Sequence, residues 1–296
     1  MGIIEKVKLM KLVERHFNMN YLSISKEYIS SNKKNIKVTE KDSGISISLH
    51  LTKISVLAML LNNNWKILDN SNPYIKLKGP NDEILFCRTQ VGFDFGHLVE
   101  IYIKNVYGID FKGKNIIDIG MSNGDSSIFF AKKGAKRVIG VEPDKRSFDL
   151  ALKNITESKV DNIVLPLNRA LSNQSGIIEM TVYNSNPNAN SIDESNMVKL
   201  NDSKIKENIE AVELGEIIDM FNNENIDLLK MDCEGCEYKV LQNISEKYFP
   251  KISNIYLEYH HGLQDIPEIF NKHGFHVNII EQGNMMGYIK ANRDNA

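Results

Sequence analysis

Residues 115–126 read Asn115-Ile116-Ile117-Asp118-Ile119-Gly120-Met121-Ser122-Asn123-Gly124-Asp125-Ser126. The apolar run at the start predicts a buried strand, the glycines predict a sharp turn, and the helical pattern that follows ends at Gly134. An acid, Glu142, ends the next apolar run about 20 residues after Gly120, where a carboxylate can accept hydrogen bonds from ribose hydroxyls. The stretch therefore predicts a nucleoside bound at the carboxyl edge of a sheet.

Short apolar runs alternate with amphipathic segments after this stretch. Strands are predicted at 137–142, 162–167, 226–232 and 252–258, helices at 147–158, 214–221, 237–244 and 266–272, and a closing hairpin-like pair at 276–280 and 287–290. This alternation indicates an α/β domain with a parallel sheet covered by helices.

The ligand at the glycine turn has two main candidates. A dinucleotide site favours G-x-G-x-x-G, whereas the spacing here is Gly120-x-x-x-Gly124, and Asp118 and Asp125 would repel a pyrophosphate. S-adenosylmethionine fits better, because it offers a ribose to Glu142 and a sulfonium and an amino acid in place of phosphates. An ordinary tight turn in a ligand-free sheet is the third interpretation.

Three blocks of this sequence resemble the FkbM-type S-adenosylmethionine-dependent methyltransferases. They are residues 115–126 with 134–138 and 141–143, residues 168–172 with Gly176, and residues 228–237, which match the pattern K-x-D-x-E-G-x-E. The resemblance extends from Phe95 to Lys290. Met121 and Ser122 depart from the usual Ala and Asn, and cysteines fill the variable positions 233 and 236.

The resemblance implies a class I methyltransferase fold, with a Rossmann-like, seven-stranded, mostly parallel sheet, helices on both faces and an antiparallel strand in the last pair. It also implies a cofactor site for S-adenosylmethionine. The residues that would line it are Asp118, Gly120, Ser122 and Gly124 at the methionine end, Glu142 at the ribose, Asn168 to Ala170 at the adenine, and Ser126 and Pro143 beside them.

Acidic and imidazole groups follow two neighbouring predicted strands. Methyl transfer to a hydroxyl needs a group that removes its proton, and a carboxylate or a histidine can do so. Asp232, Glu234 and His260 are the candidate catalytic residues, and which of them acts as base stays open. No metal is assigned, although Asp232, Glu258 and His260 could alternatively collect a divalent cation. Glu237 lies in the first turn of the predicted helix 237–244, where its only role could be a favourable interaction with the helix dipole.

The sequence predicts two parts, an N-terminal helical and hairpin extension over residues 1–94 and the S-adenosylmethionine-binding domain over residues 95–296. The first 60 residues carry ten Lys or Arg against five acids. A solvated helical face is the simpler interpretation, and the other is a basic arm for RNA. An RNA methyltransferase and a non-catalytic nucleoside-binding scaffold are therefore alternatives to O-methylation of a hydroxyl on a small molecule or glycan.

Composition limits the remaining partners. The chain has 296 residues, a formal net charge of −2, and no apolar run long enough to span a membrane, so a soluble, cytoplasmic protein without a membrane partner is expected. Cys87, Cys233 and Cys236 fit a reducing compartment, and the C-x-x-C they contain is given no redox or metal role. The oligomeric state is left open.

A polar segment from Thr181 to Lys204 is too long for a simple connection. Long loops beside a ligand edge often act as lids or substrate loops. A surface insertion is the equal alternative.

Overall fold

The structure is a computed structural model that describes residues 3–20, 22–24, 26, 35–108, 110–183 and 204–293. The chain divides into two compact units, Met1–Gly108 and Ile109–Ala296. The sequence analysis places the boundary between residues 94 and 95. In the structure the helical segments from Asp94 to Ile103 belong to the first unit, so the boundary lies further along the chain. Within the described ranges, no helix is long and apolar enough to cross a membrane.

The N-terminal unit contains strands as well as the helices expected before residue 60. Its elements are α1 (Ile3–His16), β1 (Ile36–Thr39), β2 (Ser46–Leu49), α2 (Leu51–Asn62), β3 (Lys66–Ser71), β4 (Tyr74–Lys78), β5 (Ile84–Arg88), α3 (Asp94–Leu98) and a π-helical turn (Val99–Ile103). Strands β1 and β2 pair antiparallel, and β3, β4 and β5 form a second antiparallel sheet. A buried ion pair between Arg88 and Asp94, at 2.7 Å, joins β5 to α3.

A seven-stranded sheet forms the centre of the second unit in the described part of the chain. Its strands are β6 (Asn115–Ile119), β7 (Arg137–Val141), β8 (Val164–Leu167), β12 (Ile226–Met231), β13 (Ile252–Tyr259), β14 (His276–Gln282) and β15 (Gly287–Asn292). The order is β14-β15-β13-β12-β6-β7-β8, and only β15 runs antiparallel to its neighbours. The predicted α/β sheet, with an antiparallel strand in its last pair, is confirmed.

Helices connect these strands and cover the sheet. They are α4 (Asp125–Lys132), α5 (Lys145–Glu157), α6 (Leu214–Asp219), α7 (Glu237–Asn243), a 3₁₀ segment (Glu246–Lys251) and α8 (Ile266–Lys272). The strand order runs outward from β6 through β7 to β8 on one side, and from β12 to β13 on the other. Right-handed crossovers then place the two sets of helices on opposite faces. The direction reverses between β6 and β12, and a crevice for a ligand opens at the carboxyl ends of two such strands.

A second sheet of the same unit was not predicted. It contains β9 (Ala170–Ser172), β10 (Gly176–Tyr183) and β11 (Lys204–Glu213) in the order β10-β11-β9. The first half of β10 is largely exposed, and β11 is rich in charged residues, so neither strand shows the apolar run of a buried strand. The long loop predicted between residues 181 and 204 therefore begins and ends in strands, and residues 184–203 lie outside the described residues.

The core lies between the sheet and the helices of its second half. Strand β6 is buried along its whole length, as its run of isoleucines predicts. Its side chains meet those of β12, β13, α6, α7 and α8 in one apolar cluster, whose largest fully buried members are Tyr259, Phe249 and Phe270. The cluster fixes the ends of β6, β12 and β13, which carry the polar residues of the site.

Candidate active site

The turn after β6 has an unusual backbone. Gly120, Ser122 and Gly124 have φ angles of +74°, +47° and +84°, in the left-handed region. A β-carbon on Gly120 would lie 1.8 Å from the carbonyl oxygen of Asp232, so glycine allows the turn to pack directly on the end of β12. On the other side, Gly124 packs on Ala151 of α5. The two halves of the sheet thus meet backbone to backbone at the predicted ligand edge.

Glu142 holds this turn from the end of β7. Its Oε2 accepts a hydrogen bond from the backbone N–H of Ser122 at 2.9 Å, and its Oε1 accepts one from the N–H of Asp144 at 2.8 Å. Asn168, after β8, donates from Nδ2 to the carbonyl oxygens of Glu142 and Pro143. The structure therefore brings four predicted cofactor residues together, at the ends of three adjacent strands.

Three other residues of the predicted cofactor site have buried side chains. Asp118 is fully buried, and its Oδ2 accepts hydrogen bonds of 2.6 Å from the hydroxyls of Ser126 and Ser127. Ser126 is therefore turned toward Asp118, and Ala170 is buried in β9. These side chains support the turn from within the domain, and their contact with a cofactor stays a prediction.

Lys230 is a functional candidate to which the sequence analysis gave no role. Its ammonium donates to the carbonyl oxygens of Ile119 and Gly120 at 2.9 and 2.7 Å and lies 3.3 Å from Asp118 and 3.8 Å from Asp232. Burial alone would lower the pKa of Lys230, but the carboxylates of Asp118 and Asp232 raise it above its ordinary value. The signal in the sequence is its place as the lysine of the pattern K-x-D-x-E-G-x-E.

The predicted catalytic residues converge beside this lysine. The Nε2 atom of His260 lies 3.7 Å from Asp232, 3.6 Å from Glu234 and 3.8 Å from Glu258. The side chain of His260 is only 6% exposed, whereas those of Asp232 and Glu234 are 33% and 39% exposed. The two carboxylates therefore face the solvent side of the cluster, with the imidazole behind them.

Glu237, in the first turn of α7, fixes the orientation of the imidazole. It is fully buried, and its Oε1 lies 3.0 Å from Nδ1 of His260 and accepts a 3.2 Å hydrogen bond from the N–H of Cys233. Its Oε2 has no hydrogen-bond partner among the described residues. Because Nδ1 is held by Glu237, Nε2 is the ring atom that faces the other carboxylates.

Burial and the neighbouring charges shift the pKa values in the cluster. Burial raises the pKa of Glu234 to about 8, against the lowering effect of His260. Burial and the charge of Asp232 raise the pKa of Glu258 to about 7. Burial would lower the pKa of His260, but the hydrogen bond and charge of Glu237 and the other carboxylates raise it to about 10. The cluster therefore holds protons at neutral pH, and perturbed groups of this kind are frequent in active sites.

A disulfide joins Cys233 and Cys236 inside this turn, whereas the sequence analysis expected free thiols. The left-handed φ angles of Glu234 and Gly235, +55° and +110°, bend the chain so that the two cysteine Cα atoms lie 5.5 Å apart. Cys87 is free and buried. The disulfide closes the loop that presents Glu234.

Among the described residues, one group of side chains has the spacing of a metal site. It consists of Asp232, Glu234 and His260, whose candidate ligand atoms all lie within 4.8 Å of one another. The sequence alternative named Glu258 in place of Glu234, and the structure places both near His260. The arrangement can accept a proton from a bound hydroxyl or bind a cation.

The comparisons with known proteins agree with this geometry. The family model described as "Methyltransferase FkbM domain" matches residues 118–283. The methyltransferase sdnD of Sordaria araneosa is 24% identical over 186 residues, which cover 54% of this chain and 72% of that protein.

Two solved structures resemble this chain weakly. An FkbM methyltransferase from Methylobacillus flagellatus has a TM-score of 0.43 and 14% identity, covering 64% of this chain and 46% of that one. TrmK of M. capricolum, in complex with S-adenosylhomocysteine, has a TM-score of 0.40 and 12% identity, covering 69% of this chain and 70% of that one. Because both TM-scores are below 0.5 and both identities below 25%, these two structures do not indicate the activity of this chain.

The family match covers more than half of the chain and includes both the glycine turn and the acidic cluster. It confirms the predicted enzyme class, a methyltransferase that uses S-adenosylmethionine. This chain belongs to the FkbM methyltransferase family.

Proposed function

We propose that the protein transfers the methyl group of S-adenosylmethionine to a hydroxyl of a small molecule or a glycan. The observation that carries the proposal is the contact between Gly120 and Asp232, where a β-carbon would lie 1.8 Å from the carbonyl oxygen. It puts the turn of the nucleoside site and the first residue of the acidic cluster side by side at the switch point of the sheet.

The residues at the turn fit the methyl donor in charge and in shape. The edge presents the carboxylates of Glu142, Asp232 and Glu234 to a ligand whose sulfonium and ammonium are positive. The two oxygens of Glu142 accept from the backbone N–H groups of Ser122 and Asp144, which fixes the carboxylate at the end of β7 where a ribose would bind. When bound, the cofactor supplies a methyl group on positively charged sulfur.

In this proposal Gly120 and Ser122 contact the methionine end, and Asn168 and the backbone near Ala170 contact the adenine. Asp118, Gly124 and Ser126 act from inside, because they hold the shape of the turn. Pro143 lies between the Glu142 and Asn168 contacts, since its carbonyl accepts from Asn168.

The chain supplies two things to the reaction, orientation and a proton acceptor. Orientation of the acceptor toward the methyl carbon can contribute about 7–11 kcal/mol, and a positioned base about 10²–10⁴ in rate. The base is drawn from Asp232, Glu234 and His260. Asp232 and Glu234 are the two that an acceptor can touch, because their side chains are partly exposed, and His260 lies behind them.

Calorimetric titration tests the cofactor half of the proposal. Saturable binding of S-adenosylmethionine and S-adenosylhomocysteine is expected, with no binding of NAD and with loss of binding in a Glu142→Ala variant. A folded sample that binds neither methionine nucleoside contradicts the proposal.

Incubation with cofactor labelled in its methyl group tests the acceptor half. Sugars, phenols and aliphatic alcohols are offered in parallel, and mass spectrometry locates the new methyl. A methyl ether is the expected product. If the label is found only on nitrogen or on RNA, the proposed hydroxyl acceptor is wrong, whereas the cofactor assignment stands.

A further inference from the structure

Carboxyl groups outnumber cationic groups in the acidic cluster. Carboxylates of Asp232, Glu234, Glu237 and Glu258 surround a single imidazole, that of His260. The nearest lysine, Lys230, is 3.8 Å from Asp232, and its ammonium donates to two backbone carbonyls. Buried charge of one sign is costly unless a counter-charge binds it.

The geometry around Nε2 of His260 is not that of ordinary hydrogen bonding. The three nearest carboxylate oxygens lie 3.6, 3.7 and 3.8 Å away, beyond hydrogen-bond range. Two ligands that are each about 2.1 Å from one ion are about 3.0–3.4 Å apart at square or tetrahedral angles. The distances from Nε2 to the carboxylates thus exceed those between ligands of a shared cation by a few tenths of an ångström, and the ligand atoms of Asp232, Glu234 and His260 all lie within 4.8 Å of one another.

A carboxylate contacts the far nitrogen of the His260 ring, as is common for histidines that bind metals. Its Nδ1 is engaged by the fully buried carboxylate of Glu237, so that Nε2, in a side chain 94% buried, is aimed into the cluster without a hydrogen-bond partner among the described residues. A carboxylate behind the ring fixes the orientation of a ligating imidazole and raises its basicity. This nitrogen, on a largely buried side chain, points to a ligand independently of the acids in front of it.

From these contacts we infer that Asp232, Glu234 and His260 bind a divalent cation, with Glu258 beside them as a fourth ligand and third oxygen donor. One nitrogen and several oxygen ligands suit a first-row ion such as Mn²⁺. Asp232 and Glu234 are open on one side, which gives the cation a path of entry.

A role for the cation follows if the proposed function is correct. Asp232 borders the glycine turn, so a cation held by its carboxylate would lie next to the methyl donor and could bind the acceptor's oxygen. A hydroxyl bound to such an ion loses its proton more readily. The binding of the cation itself does not depend on that role.

Titration with Mn²⁺ tests the inference on the full chain after chelator treatment and desalting. Free Mn²⁺ is measured by electron paramagnetic resonance in the absence of cofactor. We expect saturable binding of one ion per chain, weakened at least tenfold in Glu234→Gln and in Asp232→Asn. The control Glu246→Gln alters an exposed acid paired with Lys272 and is expected to bind like the wild type.

A second measurement does not depend on the stability of any variant. Spin-echo modulation of the bound Mn²⁺ is expected to show coupling to an imidazole nitrogen. Absence of saturable binding up to millimolar Mn²⁺, equal binding by the wild type and both variants, or a bound ion without imidazole coupling would each overturn the inference.

Titration of S-adenosylhomocysteine in the presence of chelator separates this inference from the proposed function. Cofactor binding by a chain that binds no Mn²⁺ overturns the cation site and leaves the methyltransferase proposal in place. Mn²⁺ binding by a chain that binds no methionine nucleoside supports the cation site and contradicts the proposed function.

Discussion

The carbonyl oxygen of Asp232 occupies the space that a side chain on Gly120 would need, 1.8 Å from an ideal β-carbon. The obstacle is backbone at the end of β12, so it cannot move away as a flexible side chain would. This contact sets the separation between the two halves of the ligand edge.

Gly120→Ala should therefore lower the free energy of unfolding by more than the cost of a left-handed φ angle at residue 120 alone. A left-handed φ costs an L-residue about 1–2 kcal/mol, and the collision with Asp232 adds to it. Gly113→Ala is the matched control, because its φ is +73° and nothing lies within 4 Å of its β-carbon. Urea unfolding measures both variants, and equal losses of stability would contradict a packing role for the glycine.

Substitution of Glu142 by glutamine should weaken binding of S-adenosylhomocysteine about tenfold to a hundredfold, since hydrogen bonds to a charged group are lost. The substitution also weakens the acceptor for the N–H of Ser122. Calorimetry measures the change, with Asp149→Asn, on the exposed side of α5, as a control. Unchanged affinity in the Glu142 variant would remove this residue from the proposed ribose site.

Lys230→Met should cost about 3–5 kcal/mol of folding free energy, because it leaves buried carboxylates without their counter-charge. The double variant Lys230→Met with Asp118→Asn should recover part of that loss, since the charge nearest the lysine is then also gone. Chemical unfolding of both variants checks the prediction. Strictly additive losses would mean that Lys230 and Asp118 do not interact.

The stability should fall at alkaline pH through Tyr238. Burial raises the pKa of this phenol to about 12, and its hydroxyl donates to the carbonyl of Gly262 at 2.6 Å. The folded pKa is above the ordinary value near 10, so the contribution is complete below about pH 10 and is lost as the pH rises through about 12. Tyr238→Phe should flatten this decline in urea unfolding measured between pH 9 and 11. Identical slopes for the two proteins would contradict it.

Thiol counting checks the disulfide. With Cys233 and Cys236 joined and Cys87 buried, the native protein should show no reactive thiol, the denatured protein one, and the reduced denatured protein three. A thiol reagent measured by absorbance gives these numbers. Three thiols in the denatured protein before any reductant is added would show that the cysteines are not paired.

Much of the second unit could be predicted from the sequence, because its strands are short apolar runs buried on both faces. Strand β6, with three isoleucines, and helix α8, found at its predicted bounds of residues 266 and 272, show how clear such patterns are. The strands β10 and β11 were missed, since they are partly exposed and carry charged residues that are also common in loops.

Members of the acidic cluster could be named from the sequence, but their arrangement could not. Asp232, Glu234 and His260 were named because they follow neighbouring strands. The roles of Glu237 and Lys230 depend on contacts between distant parts of the chain, such as the bond from Glu237 to His260. Both residues belong to the pattern K-x-D-x-E-G-x-E, but that pattern does not show which distant groups they contact.

The hydrogen bonds from Lys230 to Ile119 and Gly120 span 111 and 110 positions of the chain. The amino half of the domain, although it contains the whole glycine turn, has no donor of its own for those two carbonyls among the described residues. During synthesis the turn is thus completed only after β12 has emerged and paired with β6. The glycine turn therefore reaches its final hydrogen bonding late in the folding of this chain, together with the acidic cluster that follows β12.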